Sequence, residues 1–402
     1  MLGDGLQGTL LAVRADIEGF STTQTGLIMS TFYVGFLFGS IMTPRITSRV
    51  GHIRVFAAFA AISSAAILVH SIFVTIPVWI AMRLVSGFCF AGLYIVAESW
   101  LNDRASNETR GKLLAIYMVV TYVGVGAGQL LLNLADPQQF QLFILTSVLI
   151  SIAVVPLLLS AGSPPTFHDS VRIGLLELLR LTPLGIVSIF TVGLVTATFF
   201  ALAPVYAQRI GLDVQQISFY MAAAFVGTVV CQGPIGILSD RFDRRLILTI
   251  TTLLTAGAAM VCIPTASYTF TFQLAVIGLF GGLAFPLYSV CIAYINDRLE
   301  PQQMIAASGA MVLVSGLGAI VGPVLVAMMM DWLGDQALFW SIAGLHGVTG
   351  LFAIFRMISS PAVPLNKQGP STTTAVHPSG SAIESTQQYT QEETITQWSG
   401  EG

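Results

Sequence analysis

Charge is what this sequence lacks. Only 9% of its 402 residues are Asp, Glu, Lys or Arg, while 54% are hydrophobic; a soluble domain carries about 25% charged residues, so this composition cannot make a water-facing surface. Lysine is scarcer still, with Lys112 and Lys367 alone among 17 cations. No basic face exists, which excludes nucleic acid as a partner. The four cysteines (Cys89, Cys231, Cys262, Cys291) all lie in apolar runs and read as small core residues, not a disulfide framework. His52, His70, His168, His346 and His377 are scattered without ligand spacing, so no metal is expected. No nucleophile–base arrangement, phosphate loop or intramembrane carboxylate pair is visible. The chain reads as neither an enzyme nor a cofactor binder. A basic n-region and a small-residue cleavage site are also missing from the start, which argues against a signal peptide.

What the sequence has instead is long apolar runs. A hydrocarbon core of about 30 Å needs roughly 20 apolar helical residues. Such runs lie near 23–44, 54–74, 77–101, 113–134, 139–160, 184–206, 214–238, 246–266, 270–295, 305–330 and 337–358. The protein is therefore expected to be an all-α integral membrane protein in a lipid bilayer. Residues 1–15 are apolar too, but at 1.5 Å each they reach only about 22 Å.

Cation placement sets the expected orientation. Alternate loops hold Arg45, Arg49 and Arg54; Arg104, Arg110 and Lys112; Arg172 and Arg180; Arg241, Arg244 and Arg245; Arg298; and Arg356 and Lys367. The opposite loops hold Arg14 and Arg209, and Arg83 lies inside a span. The first set is expected on the cytoplasmic side of a cell inner membrane, with both termini inside. From Ser359 the composition turns to Ser, Thr, Gln and Glu, so 359–402 is expected to be a disordered acidic cytoplasmic tail. The stretch from Val171 to Arg180, within a cytoplasmic linker over 161–183, is amphipathic and suits the membrane surface as a tether.

The chain also repeats itself. A shift of 192 pairs Gly19 with Gly211, Gln24 with Gln216, Gly35 with Gly227 and Arg49 with Arg241. A shift of 194 lays Leu101-Asn102-Asp103-Arg104 on Ile295-Asn296-Asp297-Arg298, and Gly124 and Gly128 on Gly318 and Gly322. Two six-helix halves are expected, an N-terminal one over 1–160 and a C-terminal one over 184–358. In that register Met1 falls opposite Gly193, so roughly eight to ten residues of the first helix look absent, as from a start assigned too late; a short tilted helix is the alternative.

Twelve helices as six plus six, with these loop signatures, resemble the major facilitator superfamily over residues 1–358. The run Glu98-Ser99-Trp100-Leu101-Asn102, followed by Arg110-Gly111-Lys112-Leu113-Leu114-Ala115, is most similar to its small YcaD-type bacterial members. The family's loop motif G-x-L-x-D-R-x-G-R-R has its better copy at Gly236-Ile237-Leu238-Ser239-Asp240-Arg241-Phe242-Asp243-Arg244-Arg245, with Asp243 in a glycine's place. The first-half copy keeps Arg49, Gly51 and Arg54 but has Ser48 where the motif has Asp. A carboxylate facing Arg at a helix end makes a cluster that forms in one state and breaks in another. We expect Arg49, Arg54, Glu98, Asp103, Arg104, Asp240, Arg241, Arg244, Arg245, Asp297 and Arg298 in such gating clusters, with Glu98 held by a partner such as Arg49. The bland alternative is that these cations serve orientation only. Gly318, Gly322 and Pro323 match the family's G-x-x-x-G-P pattern, and Gly124 and Gly128 are their counterpart with Gln129 for Pro; small residues four apart permit close helix contact.

Ionisable groups at membrane depth are costly and suggest function. Asp4 and Arg83 are the clear cases, and Arg83-Leu84-Val85-Ser86-Gly87 resembles the family's span-four R-x-x-x-G motif, for which a part in proton coupling has been proposed. The resemblance implies that both border the central cavity, where Asp4 would alternate between Arg83 and a proton; a static pair is the alternative. Substrate-cavity candidates are Gln7, Tyr94, Thr196, Thr198, Phe199, Phe200, Tyr206, Tyr288 and Ser289, with Tyr33 and Tyr122 as lesser additions, and with Tyr94 and Tyr288 as a repeat-related aromatic pair. The resulting expectation is a monomeric secondary transporter of a small-molecule substrate, working by alternating access with protons as coupling ion. Few charges favour neutral, amphipathic or hydrophobic solutes over polyanions. The competing class is a non-transporting sensor or scaffold of this fold, signalling through its tail.

Overall fold

The computed structural model describes residues 1–104, 107–159, 174–359, 363–364, 368–369 and 390, with side chains at all of these except 102–112, 114, 301–302 and 305–306. Residues 160–173, which include most of the linker over 161–183, and most of the tail therefore lie outside the described residues. Among the described residues there are only helices and 3-10 turns: α1 (Leu2–Ile17), α2 (Thr22–Val50), α3 (His52–Ile72), α4 (Ile76–Arg104), α5 (Asn107–Leu130), α6 (Gln141–Ile152), α7 (Val155–Leu158), α8 (Leu175–Leu181), α9 (Pro183–Arg209), α10 (Val214–Arg241), α11 (Arg244–Cys262), α12 (Phe270–Ala284), α13 (Leu287–Asn296), α14 (Pro301–Leu333) and α15 (Ala337–Ser359).

Among the described residues, eleven stretches are long and apolar enough to cross a bilayer, from Thr22–Val50 to Ala337–Ser359, and each coincides with one of the eleven runs read from the sequence. Two of the eleven join two α-helices, and two more, Ala115–Leu134 and Arg244–Ser267, end in a 3-10 turn. Phe270–Asn296 is α12 and α13 joined at Phe285–Pro286, where proline has no N–H to continue the ladder. In Gln141–Leu158 the chain turns between α6 and α7 just before Pro156. Helix α1 has 16 residues, about 24 Å at 1.5 Å per residue.

The sequence repeat recurs as local geometry. Gly19 and Gly211 both take positive φ, 77° and 90°, a conformation that strains a side-chain-bearing residue. Two residues on, Ser21 and Asp213 begin α2 and α10 with the same reciprocal cap: each side chain accepts from the backbone N–H of Gln24 or Gln216, whose own amide oxygen accepts from the capping residue's N–H. The repeat is thus a repeat of turn and cap, not of apolar content alone.

Helix α2 runs along α4, α3 packs on α4 and α6, and α1 packs on α5; further along the chain α9 packs on α14, α10 on α12 and α11 on α15. The two sets meet where α2 touches α14, α5 touches α10, and α1 touches α9. Glycine sets how closely neighbours approach. A Cβ at Gly128 would lie 3.2 Å from Gly5 Cα on α1, and one at Gly318 would lie 2.9 Å from Leu194 N on α9. Gly322 faces Leu194 and Thr198 in the same way, and Gly124 faces Met1. Pro323 meets Gly26 of α2 through its carbonyl, joining the sets. The outer faces stay apolar: Leu159, Trp332 and Ile358 are 80%, 88% and 83% exposed, as side chains facing lipid would be. On α8, Leu178 is buried while Leu176 is exposed.

Candidate functional site

Where the two sets of helices meet, they enclose a cavity of about 760 Å³, including its open mouth. Helix α1 lines it with Asp4, Gly5, Gly8 and Thr9; α2 with Met29, Phe32 and Tyr33; α4 with Arg83 and Tyr94; and α5 with Thr121, Tyr122, Val125 and Gln129. The opposite wall is Phe200 and Ala201 of α9 and Phe225 of α10. All the charges and hydroxyls come from α1, α2, α4 and α5.

Asp4 and Arg83 therefore share one cavity, but they are not joined as the sequence led us to expect. The hydroxyl of Tyr94 donates to Asp4 Oδ2 at 2.7 Å. Arg83 is only 5% exposed, and its guanidinium lies over the Phe32 ring, 4.4 Å from the centroid, a cation–π arrangement. Its Nε has no acceptor among the described residues. Phe32 is itself held by edge contact with Tyr33 at 5.5 Å.

Of the nine residues expected to line the cavity, Tyr94 and Phe200 do so. Gln7, Thr196, Thr198, Phe199, Tyr206, Tyr288 and Ser289 are buried elsewhere. Phe199 and Tyr206 belong to a core cluster to which both helix sets contribute, and Tyr288 sits in a neighbouring apolar cluster with Leu287 and Cys291. Ser289 accepts from Gln232 Nε2 at 3.1 Å. The expected Tyr94–Tyr288 pair does not form, because α13 restarts after Pro286 and turns Tyr288 into the core. Thr9, Phe32, Thr121, Gln129 and Phe225 were missed. Gln129 carried a readable signal: an amide where the repeat-related position has proline. It is hydrogen-bonded with Thr9 and donates to Gly5 O at 3.0 Å, fixing α5 against α1.

At the end that carries the cation-rich loops, Arg244 is the centre of a buried cluster. Its guanidinium donates to Asp240 Oδ1 at 2.8 Å, Asp297 Oδ1 at 2.6 Å, Ser239 Oγ at 3.1 Å and Ala293 O at 3.2 Å. Burial pushes the Asp297 carboxyl up to about 6, with Arg244 opposing the rise. Arg245 turns to Asp243, whose carboxyl it holds below the usual range; this is the residue that replaces the motif's glycine. Arg298 lies over the Tyr294 ring at 3.8 Å, and Arg241 is exposed. Of the first-half members, Arg49 and Arg54 are exposed, and the side chains of Asp103 and Arg104 lie outside the described residues. Glu98 is buried and accepts from Tyr117 Oη at 3.0 Å, while Arg49, expected as its partner, is exposed.

The tail also differs from expectation at one point. Gly369 N donates to Asp297 Oδ1 at 3.2 Å, and Gly369 O accepts from Arg244 Nη2 at 2.7 Å. The glycine peptide supplies one donor and one acceptor from its backbone, a docking that composition could not announce.

At the opposite end, polar ties join the two sets of helices. Arg209 of α9 bridges Asp16 of α1 at 3.1 Å, Thr22 of α2 at 2.9 Å and Asp335 at 3.0 Å. Asp331 of α14 accepts from Thr23 N and Oγ1, at 2.9 and 2.6 Å, capping α2. Asn133 donates to Ser218 Oγ at 2.7 Å.

Comparison with known proteins agrees with this architecture. The chain is 29% identical over 337 residues to an uncharacterised MFS-type transporter, YcaD, of Escherichia coli O139:H28, covering 83% of this chain and 87% of the relative; YcaD of Shigella sonnei matches equally. Among solved structures, the nucleoside transporter NupG superposes with a TM-score of 0.72 at 14% identity, covering 90% of this chain and 97% of that one. A bacterial homologue of the human lysosomal transporter Spinster, inward-facing and occupied, gives 0.71 at 15% identity, covering 91% and 96%. The sequence pattern of the Major Facilitator Superfamily matches residues 1–215 and 185–392, so the chain belongs to that superfamily.

Proposed function

We propose that the protein is a proton-coupled secondary transporter that moves a small solute across the cell inner membrane by alternating access, with residues 1–160 and 184–358 as the two moving bodies. It works as a monomer with both termini in the cytoplasm, an orientation supported by the cation bias of the loops. The observation that carries the reading is the carboxylate of Asp4, the only one among the described lining residues, in a cavity walled by both sets of helices and hydrogen-bonded to Tyr94.

The chemistry follows from the cost of buried charge. Asp4⁻ with Arg83⁺ leaves the cavity neutral; taking a proton leaves Arg83 as the uncompensated charge, which favours the state that admits a counter-charge or water. Tyr94 serves both states, since its hydroxyl donates to the carboxylate and accepts from the carboxyl. Arg209, Asp331 and Asn133 form the outer gate in this conformation, and their ties must break for the opposite one. The Arg244 cluster braces the cytoplasmic ends of α10, α11 and α13.

The test needs no substrate. Spin labels at Glu18→Cys and Trp332→Cys, in a cysteine-free background, report the width of the outer gate. The expected result is two distance populations whose ratio changes between pH 5.5 and pH 8, and a fixed ratio in Asp4→Asn. One pH-independent distance in the wild type contradicts alternating access driven by protons.

The docking of Gly369 on Arg244 and Asp297 favours a second reading, the sensor that signals through its tail. Removing residues 363–402 separates the two: the pH-dependent exchange persists in a transporter and disappears in a sensor whose tail controls the bundle.

A further inference from the structure

The cavity is two-faced. Every charged or hydroxyl-bearing lining group belongs to α1, α2, α4 or α5, whereas α9 and α10 offer Phe200, Ala201 and Phe225. The aromatic wall is arranged as a platform. Phe200 lies 5.3 Å from Phe225 with 22° between ring planes, and 5.2 Å from Phe285 with 23°. Near-parallel rings at this spacing suit offset stacking, and a further planar ring of a ligand extends the same arrangement.

The polar face lacks one partner. Arg83 is 5% exposed, its cation rests on Phe32, and its Nε finds no acceptor among the described residues. A guanidinium presents five N–H donors in a fork that matches a carboxylate. A buried donor left unpaired costs free energy, so the site is short of an acceptor-bearing group near Arg83.

Charge balance then fixes what comes with it. Asp4⁻ and Arg83⁺ sum to zero in the empty cavity. A monovalent cation would leave the cavity positive and a lone monoanion would leave it negative, each costly at membrane depth. A monoanion accompanied by one proton returns it to zero: the proton leaves the aqueous phase, bonds to an oxygen of Asp4, and the carboxyl keeps its hydrogen bond with Tyr94. One Arg cannot balance a polyanion.

We propose that the substrate is an amphipathic monoanion with a planar aromatic body, its carboxylate-class head on Arg83 and its ring on the Phe200–Phe225 platform, carried together with one proton on Asp4. This rests on the transporter reading and deepens it.

The test uses full-length protein in detergent and a matched series of probes: 2-naphthoate, 2-naphthalenemethanol and (2-naphthyl)methylammonium. Affinity is read by titration calorimetry and by the rise in Tm, and proton uptake from a pH indicator in weak buffer. The expected result is that 2-naphthoate binds at least tenfold tighter than the alcohol or the ammonium, and takes up about one proton per molecule bound. Asp4→Asn should lose the uptake. Phe200→Leu should weaken 2-naphthoate more than octanoate, and Arg83→Gln should abolish the preference for the anion. The wild-type series stands alone should a variant fail to fold. Equal affinity across the series, binding of 2-naphthoate without proton uptake, or no binding of 2-naphthoate each overturns the proposal. The transporter reading is judged separately by the outer-gate distances: if they still exchange with pH while 2-naphthoate fails, only the substrate assignment falls.

Discussion

Tyr94 donates its hydroxyl proton to Asp4 across 2.7 Å, linking α4 to α1 at the wall of the cavity. Its repeat-related counterpart Tyr288 is buried in the core of the second helix set and does not line the cavity. The two tyrosines should therefore respond differently to the same change. Tyr94→Phe removes a hydrogen bond to a charged group, worth about 1.5–3 kcal/mol, and should lower Tm and disturb the pH-dependent exchange. Tyr288→Phe should leave that exchange as it is. Outer-gate distances over a pH series for both variants check this.

The outer gate should be tunable by single residues. Arg209 is about 29% exposed, so each of its ion pairs contributes at most about 1 kcal/mol. Arg209→Ala should shift the populations several-fold toward the open outer gate without unfolding the protein. Asp331→Asn should shift them in the same direction, because the N-terminus of α2 favours a negative partner. The spin-label distance distribution reads both.

Helix contact depends on which glycine is changed. At Gly128 a Cβ meets the backbone of α1, which cannot move aside, so Gly128→Ala should cost about 1–3 kcal/mol. At Gly257 a Cβ meets nothing within 4 Å, and Gly257→Ala should be neutral or slightly stabilising. Unfolding midpoints in detergent distinguish them.

Asp297 should leave a pH signature on stability. Its carboxyl is raised from the ordinary 3.8 to about 6 in the folded protein. Between those values the folded state holds a proton that the unfolded state has released, so stability falls as pH rises from about 4 to about 6 and then levels off. Asp297→Asn should flatten this part of the Tm profile. Removing residues 363–402 takes away the Gly369 contact and should change the same part of the profile.

The spans were legible because crossing a bilayer is a question of length and apolarity, both one-dimensional properties. The cap at Gln24 and Gln216 was half legible: the pairing showed in the repeat, the reciprocal hydrogen bonds only in the structure. The cavity wall was much less so. In a membrane bundle the lipid-facing and protein-facing sides of a helix are both apolar, so sequence spacing does not reveal how each helix is rotated. Phe199 and Phe200 are adjacent, yet one is core and the other cavity wall. Asp4 and Arg83 stood out because charge at that depth is rare, while Thr121 and Phe225 had no such contrast. Gly369 could not be found at all, since its role lies in its backbone.

We propose that Asp4 takes and releases a proton as the protein changes state. The most direct measurement is infrared difference spectroscopy of the reconstituted protein between pH 8 and pH 5.5, following the C=O stretch of protonated carboxyl groups. The expected result is a carboxyl band that grows with the change in outer-gate distance, is absent in Asp4→Asn and is displaced in Tyr94→Phe. A band that survives Asp4→Asn unchanged, with the gate still responding to pH, would contradict it.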